Sequence, residues 1–360
     1  MDEEIRSLIG MGTLQPVERP PGVNIMKNRW VLTMKYHIDD TIEREKARLV
    51  VKGFTQVYDT NYDVTYAHVS RYVTLRIFLS IVVILDLNLI HLDIKNAFLQ
   101  SKLDRSLYGL KKSPWYRALD GVLLGAGWKK SQVDTELNFK VSDDKVTCWV
   151  LVYVDNLLTA SSSNEMLKEL QELQEAAFEL REISPAQKYL GLEIVCERSA
   201  RKLWLHQQGY ADKLHRRGLT VRSIQHWRLV DHCLTYLANT RDTTLEFGGG
   251  AESLKLVGYV DADDIGDKQN RISTGGYVFI FGGAAVSWSS QCIKCATLSS
   301  TESEYVAATE AGKEGRRLRF LLAEFRQLDA GTLTFLRVDK SAITVAEGMG
   351  LTGNLKHMER

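Results

Sequence analysis

The sequence predicts a mixed α+β and α/β fold in two main parts. Apolar β-branched runs and period-2 alternations interleave with helix-period segments on both sides of residue 250, and Gly248-Gly249-Gly250 supplies a flexible joint between them. The composition, 44% hydrophobic and 25% charged over 360 residues, is that of ordinary globular domains. At roughly 150 residues per domain this length makes two or three units, each able to bury a core. We place them at residues 1–200, a connector at 201–250, and 251–360.

Pro16, Pro20 and Pro21 mark an irregular start, and a first strand begins near Trp30. From Arg44 to Phe54 the alternation sets Lys46, Arg48, Val50 and Lys52 on one side and Ala47, Leu49 and Val51 on the other, giving a strand with a mostly basic face. Thr74 to Leu87 is apolar on nearly every side and free of Gly and Pro, as a buried helix requires. His91–Ile94 reads as a strand. Cys148–Val154 and Leu157–Ala160 read as two more, joined by the turn Asp155-Asn156. Asn164 is placed to cap a helix carrying Leu167, Leu170, Leu173 and Ala177 at helical spacing. Beyond the glycine joint come a short strand ending at Asp261, a hairpin turning on Gly282-Gly283, a long helix, a strand and another helix.

The charge balance, 46 Lys+Arg against 45 Asp+Glu, hides one basic tract: residues 198–228 hold eight Lys/Arg and the single acid Asp212, a segment that could face phosphate or form a solvated helix face. The amino terminus lacks a basic segment followed by an apolar one, so secretion is not expected. The longest apolar run, Ile77–Leu85, falls short of the roughly 20 residues that span a bilayer, so no membrane partner is expected. Five scattered cysteines suit free thiols in a reducing compartment, and neither Cys292-x-x-Cys295 nor the group His226, His232 and Cys233 has the partners that zinc needs.

Asp93 ends an apolar strand, and Asp155 sits in a turn between two others. Two carboxylates brought together from neighbouring strands repel unless cations lie between them. Mg²⁺ held by such carboxylates and by substrate phosphates is the usual solution, and phosphoryl transfer is its chemistry. The plainer alternative is a pair of turn-forming acids with no ion.

The segments KARLVVKGFTQ (Lys46–Gln56), HLDIKNAFL (His91–Leu99), SLYGLKKSP (Ser106–Pro114), YVDN (Tyr153–Asn156) and YLGLEI (Tyr189–Ile194) occur in the order found in copia-type retrotransposon reverse transcriptases, which this half of the chain resembles. The resemblance implies a fingers and palm remnant in which Asp93 and Asp155 are the metal-binding catalytic aspartates. It also implies that Phe98 screens the sugar 2′-OH of the incoming nucleotide, and that Lys46 and Arg48 belong to the finger strand that meets that nucleotide. YLGLEI corresponds to the segment gripping the primer, and SLYGLKKSP to the segment under the templating pair. The chain departs from the family at Asn156, where the motif has a second Asp; it also lacks the segment before SLYGLKKSP and most of the thumb and connection between Tyr210 and His226. Polymerase activity is therefore expected to be impaired.

In the second half, GYVDADDIGD (Gly258–Asp267), ISTGGYVF (Ile272–Phe279), VSWSS (Val286–Ser290), LSSTESEY (Leu298–Tyr305), VDKSAI (Val338–Ile343) and LKHMER (Leu355–Arg360) resemble the same family's ribonuclease H domain. That implies a mixed-sheet domain cutting the RNA strand of an RNA–DNA hybrid with two Mg²⁺ about 4 Å apart. Asp261, Glu304 and Asp339 match its first three acids, and Glu359 stands where its fourth, an Asp, is usual. Ser299-x-x-Glu302 forms a capping box, which gives Glu302 a structural task and leaves Glu304 for chemistry. His357 is a candidate proton relay or simply a solvated side chain.

The resemblance thus implies an RNA-directed DNA polymerase and hybrid ribonuclease with weakened polymerisation. Its cofactor would be Mg²⁺, with Mn²⁺ admissible, and its partners RNA–DNA hybrid, template and nucleotides. Its location would be cytoplasmic, in virus-like particles, or nuclear, and the oligomeric state stays open. The alternative is a non-enzymatic nucleic-acid-binding or inert relic.

Overall fold

A computed structural model describes residues 1–10, 12, 14, 17–18, 21, 25, 27–36, 41–52, 70–95, 97, 114–142, 145–217, 224–248, 254–267, 272–295, 297, 299–325 and 335–337. The chain begins with helix α1 (Asp2–Gly10) and an antiparallel pair, β1 (Asn28–Tyr36) and β2 (Ile42–Val51). The alternation read from Arg44 onward is realised in β2, where Lys46 lies opposite Thr33 and Arg48 opposite Val31.

A six-stranded sheet follows. Its elements are helix α2 (Tyr72–Ile84), β3 (Asn88–Ile94), helix α3 (Pro114–Gly125), β4 (Lys129–Lys130), β5 (Leu137–Ser142), β6 (Lys145–Tyr153), β7 (Asn156–Ser161), helix α4 (Asn164–Ala177) and β8 (Leu180–Pro185). The strand order is β4-β5-β6-β7-β3-β8, with every pairing antiparallel. One face, carrying Leu92, Ile94, Val150, Val152 and Leu157, packs under α3 and α4 against Trp115, Leu119, Leu167 and Leu170. The other, carrying Leu137, Leu151 and Leu158, packs against the apolar α2. Helix α2 starts and stops earlier than the apolar run, and Asp86 beyond it takes a left-handed conformation with φ 51°. Ser163, not Asn164, caps α4: its side chain accepts from Met166 N, while Asn164 Oδ1 accepts from Asn88 Nδ2 at 2.8 Å. Both residue types cap well, so only tertiary contacts separate them.

A four-stranded sheet, ordered β12-β11-β10-β9, comes next. It comprises β9 (Lys188–Tyr189), β10 (Leu192–Glu197), β11 (Lys202–His206) and β12 (Leu245–Gly248), with helices α5 (Gln208–Arg217) and α6 (Ile224–Asn239) between its last two strands. A boundary at residue 200 falls in the turn of the β10–β11 hairpin, where Glu197 pairs with Lys202, so β11 and β12 complete a sheet begun on the other side. Part of the basic tract is spent internally: Arg198 Nε meets Asp86 Oδ1 at 2.9 Å, and Lys202 pairs with Glu246.

The last layer is a meander, β13 (Val257–Asp267), β14 (Ile272–Phe281) and β15 (Ala284–Cys292), then helix α7 (Ser300–Glu324) and β16 (Phe335–Arg337). The order is β15-β14-β13-β16, and β16 runs parallel to β13. The hairpin turns on Gly282 (φ 65°) and Gly283 (φ 86°), the left-handed pair that a two-residue loop demands. A Cβ on Gly282 would stand 2.7 Å from that of Ser80 in α2. This layer shares one core with the six-stranded sheet, since Phe325 after α7 meets Phe78 edge-on and lies against Trp149. Ser131 Oγ and Gln132 N both donate to Glu324. The hairpin and long helix read beyond the glycine joint are present; the strand expected to end at Asp261 runs on to Asp267, where it pairs with Ile272 past a register shift, and the final helix lies outside the described residues. No described helix is long and apolar enough to cross a membrane.

Candidate active site

Leu92 and Ile94 alternate into the core beneath α3 and α4, so His91 and Asp93 face the opposite side of β3. The β3–β7 register sets Asp93 directly across from Asn156, and Ile94 N donates to Asp155 O at 2.9 Å. Asp93 and Asp155, 62 positions apart in sequence, therefore meet at one end of two paired strands. The turn holding Asp155 bends through Val154, whose φ of 57° is costly for a β-branched residue.

Each acid already has one internal partner. Asp93 Oδ2 accepts from Arg181 Nη1 of β8 at 3.0 Å, whereas its Oδ1 is buried without a hydrogen bond. Asp155 Oδ1 accepts from Asn156 Nδ2 at 2.9 Å, and Asn156 Oδ1 lies 2.9 Å from His91 Nε2. That second distance makes the imidazole nitrogen a donor, because an amide oxygen can only accept. Beneath them Tyr189 is buried, its ring edge-on to His91 and its hydroxyl donating to Leu151 O at 3.3 Å; burial pushes the phenol up from its ordinary value. Asp93 Oδ1, a buried carboxylate oxygen without a hydrogen bond, has the chemistry that a hard divalent cation accepts, and Asp93 and Asp155 would be the residues to hold one. Among the described residues no group of three or more His, Cys, Asp or Glu is gathered.

Lys46 and Arg48 lie half-buried on β2, in a sheet separate from the one bearing the acids. Phe98 lies outside the described residues. Arg181, His91 and the buried Trp115 were not singled out by sequence reasoning. Only the pairing of β3 with β8 brings Arg181 to Asp93, 88 positions away.

In the last layer, Glu304 on α7 reaches β13, its Oε1 accepting from Ala262 N at 3.3 Å, one residue past Asp261. A Cβ at Gly275 would meet Ala307, and Ser287 Oγ donates to Glu314, so these rows face α7. Asp261 pairs with Gly276, one position out of phase with Gly275, and so lies on the opposite face, exposed. The two acids approach the same stretch of β13 from either side of the sheet. Glu302 is buried, and its N–H is capped by Ser299 Oγ at 3.3 Å, the structural task that the capping box implies. Asp339, two positions after β16, and Glu359 lie outside the described residues.

A family profile described as reverse transcriptase (RNA-dependent DNA polymerase) matches residues 12–104 and 100–221. The chain is 32% identical over 416 aligned positions to the retrovirus-related Pol polyprotein from transposon TNT 1-94 of Nicotiana tabacum, covering 90% of this chain and 31% of that protein. It is 28% identical to the corresponding polyprotein from transposon RE2 of Arabidopsis thaliana, covering 90% of this chain and 28% of that one. The chain thus spans about a third of the length of these curated relatives. A solved foamy viral protease-reverse transcriptase in complex with dsDNA aligns at a TM-score of 0.42 and 13% identity, over 76% of this chain and 64% of that one, too low a score to carry structural conclusions.

Proposed function

Because this chain belongs to the reverse transcriptase (RNA-dependent DNA polymerase) family and is related to retrotransposon Pol polyproteins, we propose that it is a Pol-derived enzyme acting on RNA–DNA hybrid, with weakened nucleotide addition and a ribonuclease H-like second module. The observation that carries this reading is the β3–β7 register, which delivers Asp93 and Asp155 to one strand end. A divalent ion held by these acids would supply positive charge to a reacting phosphate. The chain's own contribution is to fix the acids: Asn156 orients Asp155, His91 orients Asn156, and the β3 backbone anchors the turn. With Asn in place of a second Asp, one negative charge is missing from this site, consistent with weak polymerisation.

The second module is supported by its strand order, a three-stranded meander with a fourth strand parallel to the first after a long helix, whereas Asp261 and Glu304 reach that first strand from opposite faces and lend the acid set no support. Asp339 and Glu359, which match the family's remaining acids in sequence, belong to the proposed set by that match alone. Template, primer and hybrid would be held mainly through phosphates, in the cytoplasm or nucleus, so binding would weaken as salt rises.

The test pairs two assays on the full chain in Mg²⁺ or Mn²⁺: extension of a DNA primer on an RNA template, and cleavage of a labelled RNA–DNA hybrid. The expected outcome is hybrid cleavage that Asp261→Asn abolishes, with faint extension that Asp155→Asn abolishes. Absence of any metal-dependent product would sink the enzymatic reading. One observation favours the second reading, a relic that binds nucleic acid without turnover: Asp93 is already paired with Arg181. That reading expects salt-sensitive hybrid binding and no product.

A further inference from the structure

We infer that Arg181 is an internal competitor of the divalent cation at the acid pair, holding Asp93 in an ion pair that the metal must displace. This rests on the proposed placement of the ion between Asp93 and Asp155. Arg181 Nη1 lies 3.0 Å from Asp93 Oδ2, and the Asp93 side chain is only 15% exposed, so water screens the pair poorly. Arg181 stands on β8, at the edge of the six-stranded sheet, and its own side chain remains 38% exposed. It can swing outward without unfolding the strand.

The charges facing the site make the competition sharp. Asp93 and Asp155 are the two acids proposed to hold the ion, and the β3–β8 register sets Glu182 across from Asp93. Position 156 contributes an amide that donates to Asp155 rather than a third negative charge. Lys95, just after β3, pairs with Glu179 on the segment leading into β8. Of these groups only Arg181 places a full positive charge on a carboxylate of the pair. Removing that full positive charge from the Asp93 carboxylate should therefore tighten divalent-ion binding roughly tenfold or more.

The test reads metal occupancy directly, by the electron paramagnetic resonance signal of free Mn²⁺ titrated against the full chain. Arg181→Gln should bind Mn²⁺ roughly tenfold or more tightly than the unaltered chain. Arg181→Lys, which keeps the charge, should stay near the unaltered value. Asp155→Asn should abolish the added binding. Arg181→Met, of similar length and no charge, carries the same expectation as Arg181→Gln should the latter lose its circular dichroism spectrum. Binding by the unaltered chain that Asp155→Asn removes, with Arg181→Gln no tighter, would overturn the competition while leaving the proposed function intact. Binding that appears only once Arg181 is neutralised would support the inference in its strongest form. No Mn²⁺ held by any of the folded variants would overturn both.

Discussion

The indole N–H of Trp115 donates to the carbonyl of Val154 at 2.7 Å, from a side chain that α3 buries edge-on against Phe178 with ring centroids 4.7 Å apart. Val154 is the left-handed residue of the turn that presents Asp155. A strained turn persists only where its surroundings hold it. Here the holder is one large side chain from the first turn of a helix.

Trp115→Phe keeps an aromatic ring but leaves that carbonyl without its donor. A buried group stripped of its partner costs about 1–3 kcal/mol. Urea denaturation should show a loss of that size, and hydrogen exchange should quicken at residues 153–156 ahead of the rest of β6 and β7.

Glu136 is buried between Asp134 and Tyr116, and burial above all raises its carboxyl from 4.5 to about 7, with the neighbouring Asp134 and Asp120 adding to the shift. The folded state thus binds this proton more tightly than the unfolded chain. Its penalty grows as pH rises from 4.5 to about 7 and is complete above that. Glu136→Gln removes the penalty, up to about 3 kcal/mol. The Tm of the variant should exceed that of the unaltered chain at pH 8 and match it at pH 4; a difference independent of pH would refute the assignment.

Glu314 behaves in the opposite sense. Burial alone would raise its carboxyl, but hydrogen bonds from Arg317 and Ser287 and the Arg317 charge outweigh this and leave it below 4.5. A depressed folded value means stability that is present above the unfolded value and lost as pH falls through the folded one. Acid denaturation followed by circular dichroism should begin at higher pH in Ser287→Ala, which removes one of the two partners.

Phe325 lies at the end of α7 with its ring against Phe78 of α2 and Trp149 of β6. Phe325→Ala should cost about 3–5 kcal/mol, the range for a buried aromatic deleted from a core. Because this core crosses from one sheet to the other, calorimetry should show a single transition shifted downward. Two separate transitions would show that the layers unfold independently.

Much of this was legible in the chain itself. Local patterns carried the Tyr153–Asn156 turn and the Gly282-Gly283 hairpin, because a two-residue loop and its flanking apolar runs are written in consecutive residues. The apolar run from Thr74 revealed a buried helix for the same reason, though not what would surround it. What stayed hidden depends on register across distant strands. Arg181 becomes a partner of Asp93 only through β3–β8 pairing, and Asp261 parts from the α7 face only through the pleat of β13. The β10–β11 hairpin, which spans residue 200, is likewise set by pairing between Glu193–Glu197 and Lys202–His206 rather than by the charge of the tract.

Gly282 offers a handle on the whole assembly. Its missing side chain is what lets the β14–β15 loop nestle over Ser80, so one extra methyl there would act as a wedge driven between the halves. An alanine at that spot would loosen the union between the layers while leaving the Asp93–Asn156 strand end, in the other sheet, untouched.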